Sequence, residues 1–254
     1  MTRIRIDRDG PVTTVTLTRP EKRNAIDLQM LDELKACFET QPQPADRVIV
    51  LRAEGSVFCA GMDLAERARL GPTTGAVSPI EAVLHAMEAN PLPLVAVVQG
   101  DAIAGGNELA LHCDFVIASS RARFGMSLAQ IGLAPTWALA RKLMDVAGPV
   151  ATREILLLGD PLPAARFLDL GIISRVAEPD DLETEVERVV SRLARNAPLS
   201  LRAMKALLNR QVAYREHIDH ADVDELVAQA RSSDDAREGM QARLEKRTPN
   251  FTGS

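Results

Sequence analysis

Aromatic side chains are scarce in this chain of 254 residues, which has one Trp, one Tyr and six Phe. The scarcity removes the stacking platforms that hold single-stranded nucleic acids, and it leaves Leu, Val, Ile, Ala and Met to build the core. Positive charge is not in excess: 30 Lys and Arg stand against 35 Asp and Glu, a net charge of −5 with His neutral. A molecule of that sign repels polyanions as a whole, so no nucleic-acid partner is expected. Long apolar runs are also missing. No window approaches the roughly 18 apolar residues of a membrane-spanning helix, and the charged opening MTRIRIDRDG lacks the apolar stretch of a secretory signal. Cys37, Cys59 and Cys113 are odd in number and show no Cys-x-x-Cys spacing, so they read as reduced core thiols rather than a disulfide frame or a zinc site. A cytoplasmic protein with no membrane partner is the expectation.

With 46% hydrophobic and 26% charged residues, and 15 Gly and 15 Pro, the composition is that of a folded globular chain. Val12 to Thr18 alternates apolar and polar residues as a half-buried strand does, and the turn-like RPEKRN follows. Asp27 then stands as N-cap to a helical pattern carried by Leu28, Leu31, Leu34 and Phe38. Val48 to Leu51, Leu94 to Val98 and Phe115 to Ala118 are short continuous apolar runs, the signature of strands covered on both faces. Such strands separated by helical stretches predict an α/β fold with mainly parallel pairing. Gly71 to Pro79 reads as a loop, and from about Pro179 the pattern turns helical to Lys246, as a packing lid or an assembly surface.

Two segments that follow buried strands carry the chemistry. SVFCAGMDL (Ser56 to Leu64) follows the Val48 strand, and QGDAIAGGNELA (Gln99 to Ala110) follows the Leu94 strand. Ligands of parallel α/β sheets bind beyond the carboxyl ends of strands, and glycine there lets backbone N–H groups approach a ligand oxygen. A helix entered through Gly105 and Gly106 presents unpaired N–H groups and partial positive charge to an anionic oxygen. Glu108 would stand beside that anion site. A carboxylate next to an oxyanion hole is what moving a proton alpha to a carbonyl requires, although Glu in a first helical turn also serves simply to offset the helix dipole. No Gly-x-Gly-x-x-Gly, Walker or Gly-x-Ser-x-Gly pattern is present.

In their order and context, RPEKRNAID, FCAGMDL, AIAGGNELALHCDFVIASSRARFG, LGDPLPAARFLDLGIISRV and EKRTPNF resemble the enoyl-CoA hydratase/isomerase (crotonase) superfamily over nearly the whole chain. The resemblance implies a crotonase-like spiral of strand-strand-helix repeats. It implies an acyl-CoA-binding core over residues 1–190 and a helical region over 191–254 for packing and oligomerisation, in a homotrimer or homohexamer. By the same resemblance the backbone N–H groups of Met62 and Gly105 would bind the thioester oxygen, and Glu108 would be the family's water-activating glutamate. Lys22, Arg23 and Ala25 would lie along the pantetheine and nucleotide of CoA, with Ala60, Asp63 and Leu64 flanking the adenine and thioester region. Asp63 reads equally well as a helix N-cap. Coenzyme A would enter as part of the substrate, with no further cofactor and no metal. Lys22, Arg23, Lys246 and Arg247 are the candidate phosphate partners.

The departures from the family pattern decide what to expect of the activity. Where a hydratase of this family carries a second Glu, this chain reads GMSLAQIGLAP and places Leu128, leaving Ser127 and Gln130 nearby as candidate water holders. The family's PGAGG is here PTWAL, which puts Trp137 at or under the site entrance. His85 is expected on a helix beside the acyl side, and His112 as a packed neighbour in the active-site helix. Three readings follow: a hydratase or dehydratase with Glu108 as sole acid and base; an isomerase, decarboxylase or carbon-carbon lyase; or an acyl-CoA binder without turnover.

Overall fold

The computed structural model describes residues 2–70, 78–213 and 218–254, with the side chains of 68–70 left out. Most of the expected Gly71 to Pro79 loop, together with Tyr214 and His217, lies outside the described residues. The larger sheet runs β1 (Ile4–Asp9), β2 (Val12–Leu17), β3 (Val48–Ala53), β4 (Leu94–Val98), β6 (Phe115–Ser119), β9 (Arg175–Ala177), with only the β1–β2 pair antiparallel. A second, short sheet joins β5 (Ala102–Ile103), β7 (Arg123–Gly125) and β8 (Leu162–Pro163). The helices are α1 (Leu28–Glu39), α2 (Leu64–Leu70), α3 (Glu81–Ala89), α4 (Gly105–Leu111), α5 (Trp137–Arg153), α6 (Ala164–Asp169), α7 (Leu182–Arg195), α8 (Pro198–Val212), α9 (Ala221–Ser232) and α10 (Asp234–Glu245).

Register explains the continuous apolar runs. Val15, Leu51, Ala96 and Val116 stand side by side across β2, β3, β4 and β6 and face the main core under α1 and α3. The alternate residues Val48, Val50, Val95, Val97 and Ile117 face the other way, onto Leu182, Val186, Val190 and Leu193 of α7. Side chains alternate between faces along a strand, so a strand covered on both sides must be apolar at every position. The four α7 residues recur at helical spacing, which makes one stripe of that helix the lid of the second face. Position 190 lies inside this helix. Asp27 accepts the Met30 N–H at 2.9 Å and caps α1 as its sequence predicts.

The chain's last helices return to its own body. Gly239 of α10 crosses the 3-10 turn Ala129–Ile131 so closely that a Cβ there would lie 2.4 Å from the Ile131 carbonyl carbon. Ala236 of α10 packs with Ile131 and Leu133, against which Leu64 of α2 and Leu128 also lie. Helix α8 is tied down by Lys205, whose ammonium donates to Asp114 Oδ2 (2.7 Å) and to the Leu92 carbonyl (3.0 Å). Its Leu199, Met204, Leu207 and Leu208 face outward and are exposed.

Candidate active site

Three chain segments lie side by side beyond the sheet. The Ala60 N–H donates to Arg23 O (3.0 Å), Ile26 N–H to Gly61 O (2.8 Å) and Asp63 N–H to Ile26 O (2.8 Å), so residues 23–26 run alongside 60–63. On the other side Cys59 N–H donates to Asp101 O (3.1 Å), Ile103 N–H to Cys59 O (2.9 Å) and Ala104 N–H to Gly125 O (2.8 Å). This ladder leaves Met62 N–H and Gly105 N–H with no backbone acceptor among the described residues. Two features bring the two loops together. Gly61 has φ +88°, and a Cβ on it would stand 3.3 Å from Gly105 N; Gly106 lies so close to Cys59 that a Cβ would meet its carbonyl oxygen at 2.2 Å. Only glycine fits there. Ala104 also has a positive φ (48°) at the entry to α4, where an L-residue is strained.

Helix α4 begins at Gly105 and ends at Leu111, one residue short of His112, which caps it. Glu108 in its first turn is buried. Burial pushes its carboxyl up to about 8, and the nearby carboxylate of Glu81 adds to the shift, while Arg231 and Arg67 oppose it. These three partners were not legible in the sequence. Glu81 opens α3 and accepts the Ser78 N–H (3.3 Å), beside Ile80, whose Cδ1 would be 3.2 Å from a Cβ on Gly105. Arg67 belongs to α2 and Arg231 to α9, and Arg231 Nε donates to Ala134 O at 3.1 Å. A second carboxylate therefore acts electrostatically on Glu108, from α3 rather than from position 128. Asn107, next to Glu108, is fully buried with neither amide atom hydrogen-bonded.

Beneath the Lys22 loop, buried Arg19 bridges Asp27 Oδ2 (3.1 Å) and Asp63 Oδ2 (3.3 Å). Asp63 Oδ1 accepts the N–H groups of Ala65 (3.1 Å) and Glu66 (3.3 Å), the N-cap role the sequence allowed it. Asn24, also with positive φ, donates to Glu54 O and Val57 O, both at 2.9 Å, and so fixes the turn that carries Lys22 and Arg23. Those two side chains are exposed and Ala25 is half-buried.

Several sequence expectations need correction. Ser127 and Gln130 are not aimed at Glu108: the Ser127 hydroxyl donates to Gly159 O (2.8 Å), and Gln130 donates to Asp160 Oδ1 (2.9 Å). His85 is exposed on α3 and lines a surface groove shared with Lys35 and Phe38 of α1. Arg247 grips Glu238 (2.7 Å) and Glu245 (2.6 Å) within its own tail, which holds its guanidinium well above the usual range. The expectations that His112 and Cys59 are buried neighbours stand. His112 is a buried neighbour, with Nδ1 2.7 Å from Glu108 O and its pKa lowered by burial to about 4. Buried Cys59 is pushed up to about 12 and is inert as a nucleophile. Leu128 packs against the main core and against Ile131 and Leu133. Trp137 begins α5 and stacks on His220, ring centroids 4.6 Å apart, just before α9. Among the described residues no group of three His, Cys, Asp or Glu stands close enough to hold a metal ion, and no helix is long and apolar enough to cross a membrane.

A parallel α/β body with two facing glycine loops and a buried carboxyl at a helix start defines an acyl-transfer or enolate-type site. The chain belongs to the enoyl-CoA hydratase/isomerase family, whose model matches residues 7–254. It is 31% identical over 252 residues to a probable enoyl-CoA hydratase of Mycobacterium tuberculosis, covering 98% of this chain and 97% of that one. It is 30% identical over 254 residues to a crotonyl-CoA hydratase of Syntrophomonas wolfei, covering 97% and 96%. Among solved structures, methylmalonyl-CoA decarboxylase complexed with 2S-carboxypropyl CoA superposes with a TM-score of 0.90 at 26% identity, covering 100% of this chain and 99% of that one.

Proposed function

We propose that this protein hydrates an enoyl-CoA thioester, or runs the reverse dehydration, with Glu108 as the single acid and base. The observation that carries this reading is one buried carboxyl, raised to about 8, beside two backbone N–H groups without backbone acceptors, Met62 and Gly105. The thioester oxygen accepts from both N–H groups. Glu108 takes a proton from water as the water oxygen bonds to the beta carbon, the double-bond electrons move onto the thioester oxygen as an enolate, and Glu108 returns its proton to the alpha carbon. Two fixed donors that meet an oxygen only as it becomes anionic lower the barrier by several kcal/mol, about 3 per donor in a dry site. The nucleotide end is an anion, and exposed Lys22 and Arg23 support it, with Ala25, Ala60, Asp63 and Leu64 along the path and Gly106, Leu128 and Trp137 toward the acyl side. Family membership supports this assignment.

A second reading, loss of CO2 from a carboxyl-bearing acyl-CoA, is favoured by the same carboxyl being mostly protonated at neutral pH. The bond to the carboxylate breaks, its electrons form the enolate, CO2 leaves, and Glu108 gives the alpha carbon its proton. The methylmalonyl-CoA decarboxylase likeness supports it as well. Both readings carry assembly as a homotrimer or homohexamer through the exposed apolar face of α8. Turnover of crotonyl-CoA and release of CO2 from methylmalonyl-CoA by wild type and Glu108→Gln test the pair: general acid–base loss predicts a fall of roughly 100-fold or more in the true reaction, and equal rates would remove Glu108 from the mechanism.

A further inference from the structure

A main-chain bridge joins Ile26 to Met62, the residue whose N–H is one of the two donors of the site. Ile26 N–H donates to Gly61 O at 2.8 Å, and Ile26 O accepts the Asp63 N–H at 2.8 Å. In a trans peptide the N–H points opposite to the C=O. Because the Gly61 carbonyl faces Ile26, the Met62 N–H on the same trans peptide is directed away from Ile26. Ala102 pairs with Cys59 along that other edge, in the segment that leads into Gly105. The aim of this donor therefore depends on how firmly Ile26 is held against Met62.

One buried side chain that the mechanism above does not use, Arg19, holds the bridge from both strands. Its Nη1 donates to Ala25 O at 2.5 Å and stands 3.1 Å from Asp27 Oδ2, and its Nη2 donates to Asp63 Oδ2 at 3.3 Å. Ala25 and Asp27 flank Ile26, and Asp63 follows Met62, so a single guanidinium spans the pair. Both carboxylates are fixed at their other oxygen, Asp27 by the Met30 N–H (2.9 Å) and Asp63 by the N–H groups of Ala65 (3.1 Å) and Glu66 (3.3 Å). Arg3 Nε stands 2.8 Å from Asp27 Oδ2, so two cations meet two carboxylates. The Arg19 main chain is anchored in turn, its N–H donating to Asn24 Oδ1 at 2.9 Å. A planar fork of donors can hold a carbonyl and two carboxylates in set directions, which the single ammonium of a lysine does not do.

We infer that Arg19 is a positioning residue of the oxyanion site: through Ala25, Asp27 and Asp63 it fixes the direction of the Met62 N–H without touching the substrate. The inference rests on the acyl-CoA reading above and names the side chain that aims one of its two donors. Such a donor works only if it is already aimed, and a misplacement of about 1 Å costs up to about 100-fold in rate.

Infrared difference spectra of bound butyryl-CoA, labelled with 13C at the thioester carbonyl, test this without turnover. The saturated chain has no double bond to hydrate, and hydrogen bonds to the carbonyl move its stretch to lower wavenumber, as is expected in the wild-type protein. Two variants are chosen to spare the fold, which circular dichroism checks. Asp63→Asn keeps an oxygen for the α2 cap and removes the one that meets Arg19, and Arg19→Lys keeps the charge without the fork. In both, the calorimetric Kd for butyryl-CoA is expected to stay within about threefold of wild type while the infrared shift falls by about half, as for one donor of two. In both, kcat for crotonyl-CoA is expected to fall at least about tenfold with KM little changed. A full wild-type shift in either folded variant overturns the positioning role and leaves the acyl-CoA reading intact. Loss of butyryl-CoA binding by a folded variant also overturns it, since Arg19 would then serve binding rather than aim. If Arg19→Lys fails to fold, Asp63→Asn decides; unfolding of both makes the clamp a contact of the fold alone and overturns the inference. An unshifted carbonyl in the wild-type protein removes the oxyanion site, and no binding removes the acyl-CoA reading, each taking the inference with it.

Discussion

Glu108 sets the pH behaviour of this molecule. Its carboxyl ionises near 8, so the base needed for hydration is in the minority at pH 6 and grows as pH rises. Hydration measured as kcat/KM should therefore climb with pH and level off above about 8, whereas decarboxylation, which uses the protonated form, should fall across the same limb. A pH–rate profile separates the two, and a flat profile would show that neither role belongs to Glu108. The same shift acts on stability. Because the folded state holds a proton that the unfolded chain releases from about 4.5 upward, the protein loses stability as pH rises from 4.5 toward 8. His112 works in the opposite sense: lowered from 6.5 to about 4, it costs stability as pH falls through that interval. Melting temperatures of Glu108→Gln should decline less than wild type toward pH 8, and those of His112→Gln should decline less toward pH 4.

At the scale of elements, the site depends on how α10 is seated. Gly239 and Gly132, the latter with φ +69° and also pressed against the α10 backbone, allow that helix to lie directly on the Ala129–Ile131 turn. Gly239→Ala would force the two backbones apart. The expected outcome is a loss of about 1–3 kcal/mol in urea unfolding, accompanied by weaker acyl-CoA binding, since Leu128 packs in the cluster that α10 completes. Full stability with unchanged binding would show that the C-terminal helices are not needed to complete the site. The legibility of the elements follows the same division. The three buried strands, α1 and its Asp27 cap, and the Gly105–Glu108 turn could all be read, because each is encoded within a few consecutive residues. The two- and three-residue strands of the second sheet could not. They carry no periodicity of their own and exist because Ala102 and Phe124 pair across distant segments.

For the molecule as a whole, net charge and surface composition make different statements. The charge of −5 argues against polyanionic partners, yet the outer face of α8 is apolar, with Leu199, Met204, Leu207 and Leu208 exposed together. Apolar surface of this extent on one helix is the basis for the assembly proposed above. Light scattering is expected to give a mass of three or six times the chain's 27.6 kDa, with Leu207→Glu combined with Leu208→Glu reducing it to one chain. A wild-type mass of a single chain would remove the assembly from the reading.

The sequence by itself determined the parallel sheet, the glycine loops beyond it and the candidate base, since strand burial, turn chemistry and helix entry are local properties of the residues concerned. It also placed Leu128 where a second carboxylate could stand. Only the tertiary structure decided what surrounds Glu108. Glu81, Arg67 and Arg231 come from three separate helices, and Ser127 and Gln130, close in sequence to Leu128, turn instead toward the Gly159 turn. Desolvation and Coulomb forces depend on distance in space and not along the chain, so the protonation state of the base, and the charge it offers to a substrate, are set by packing.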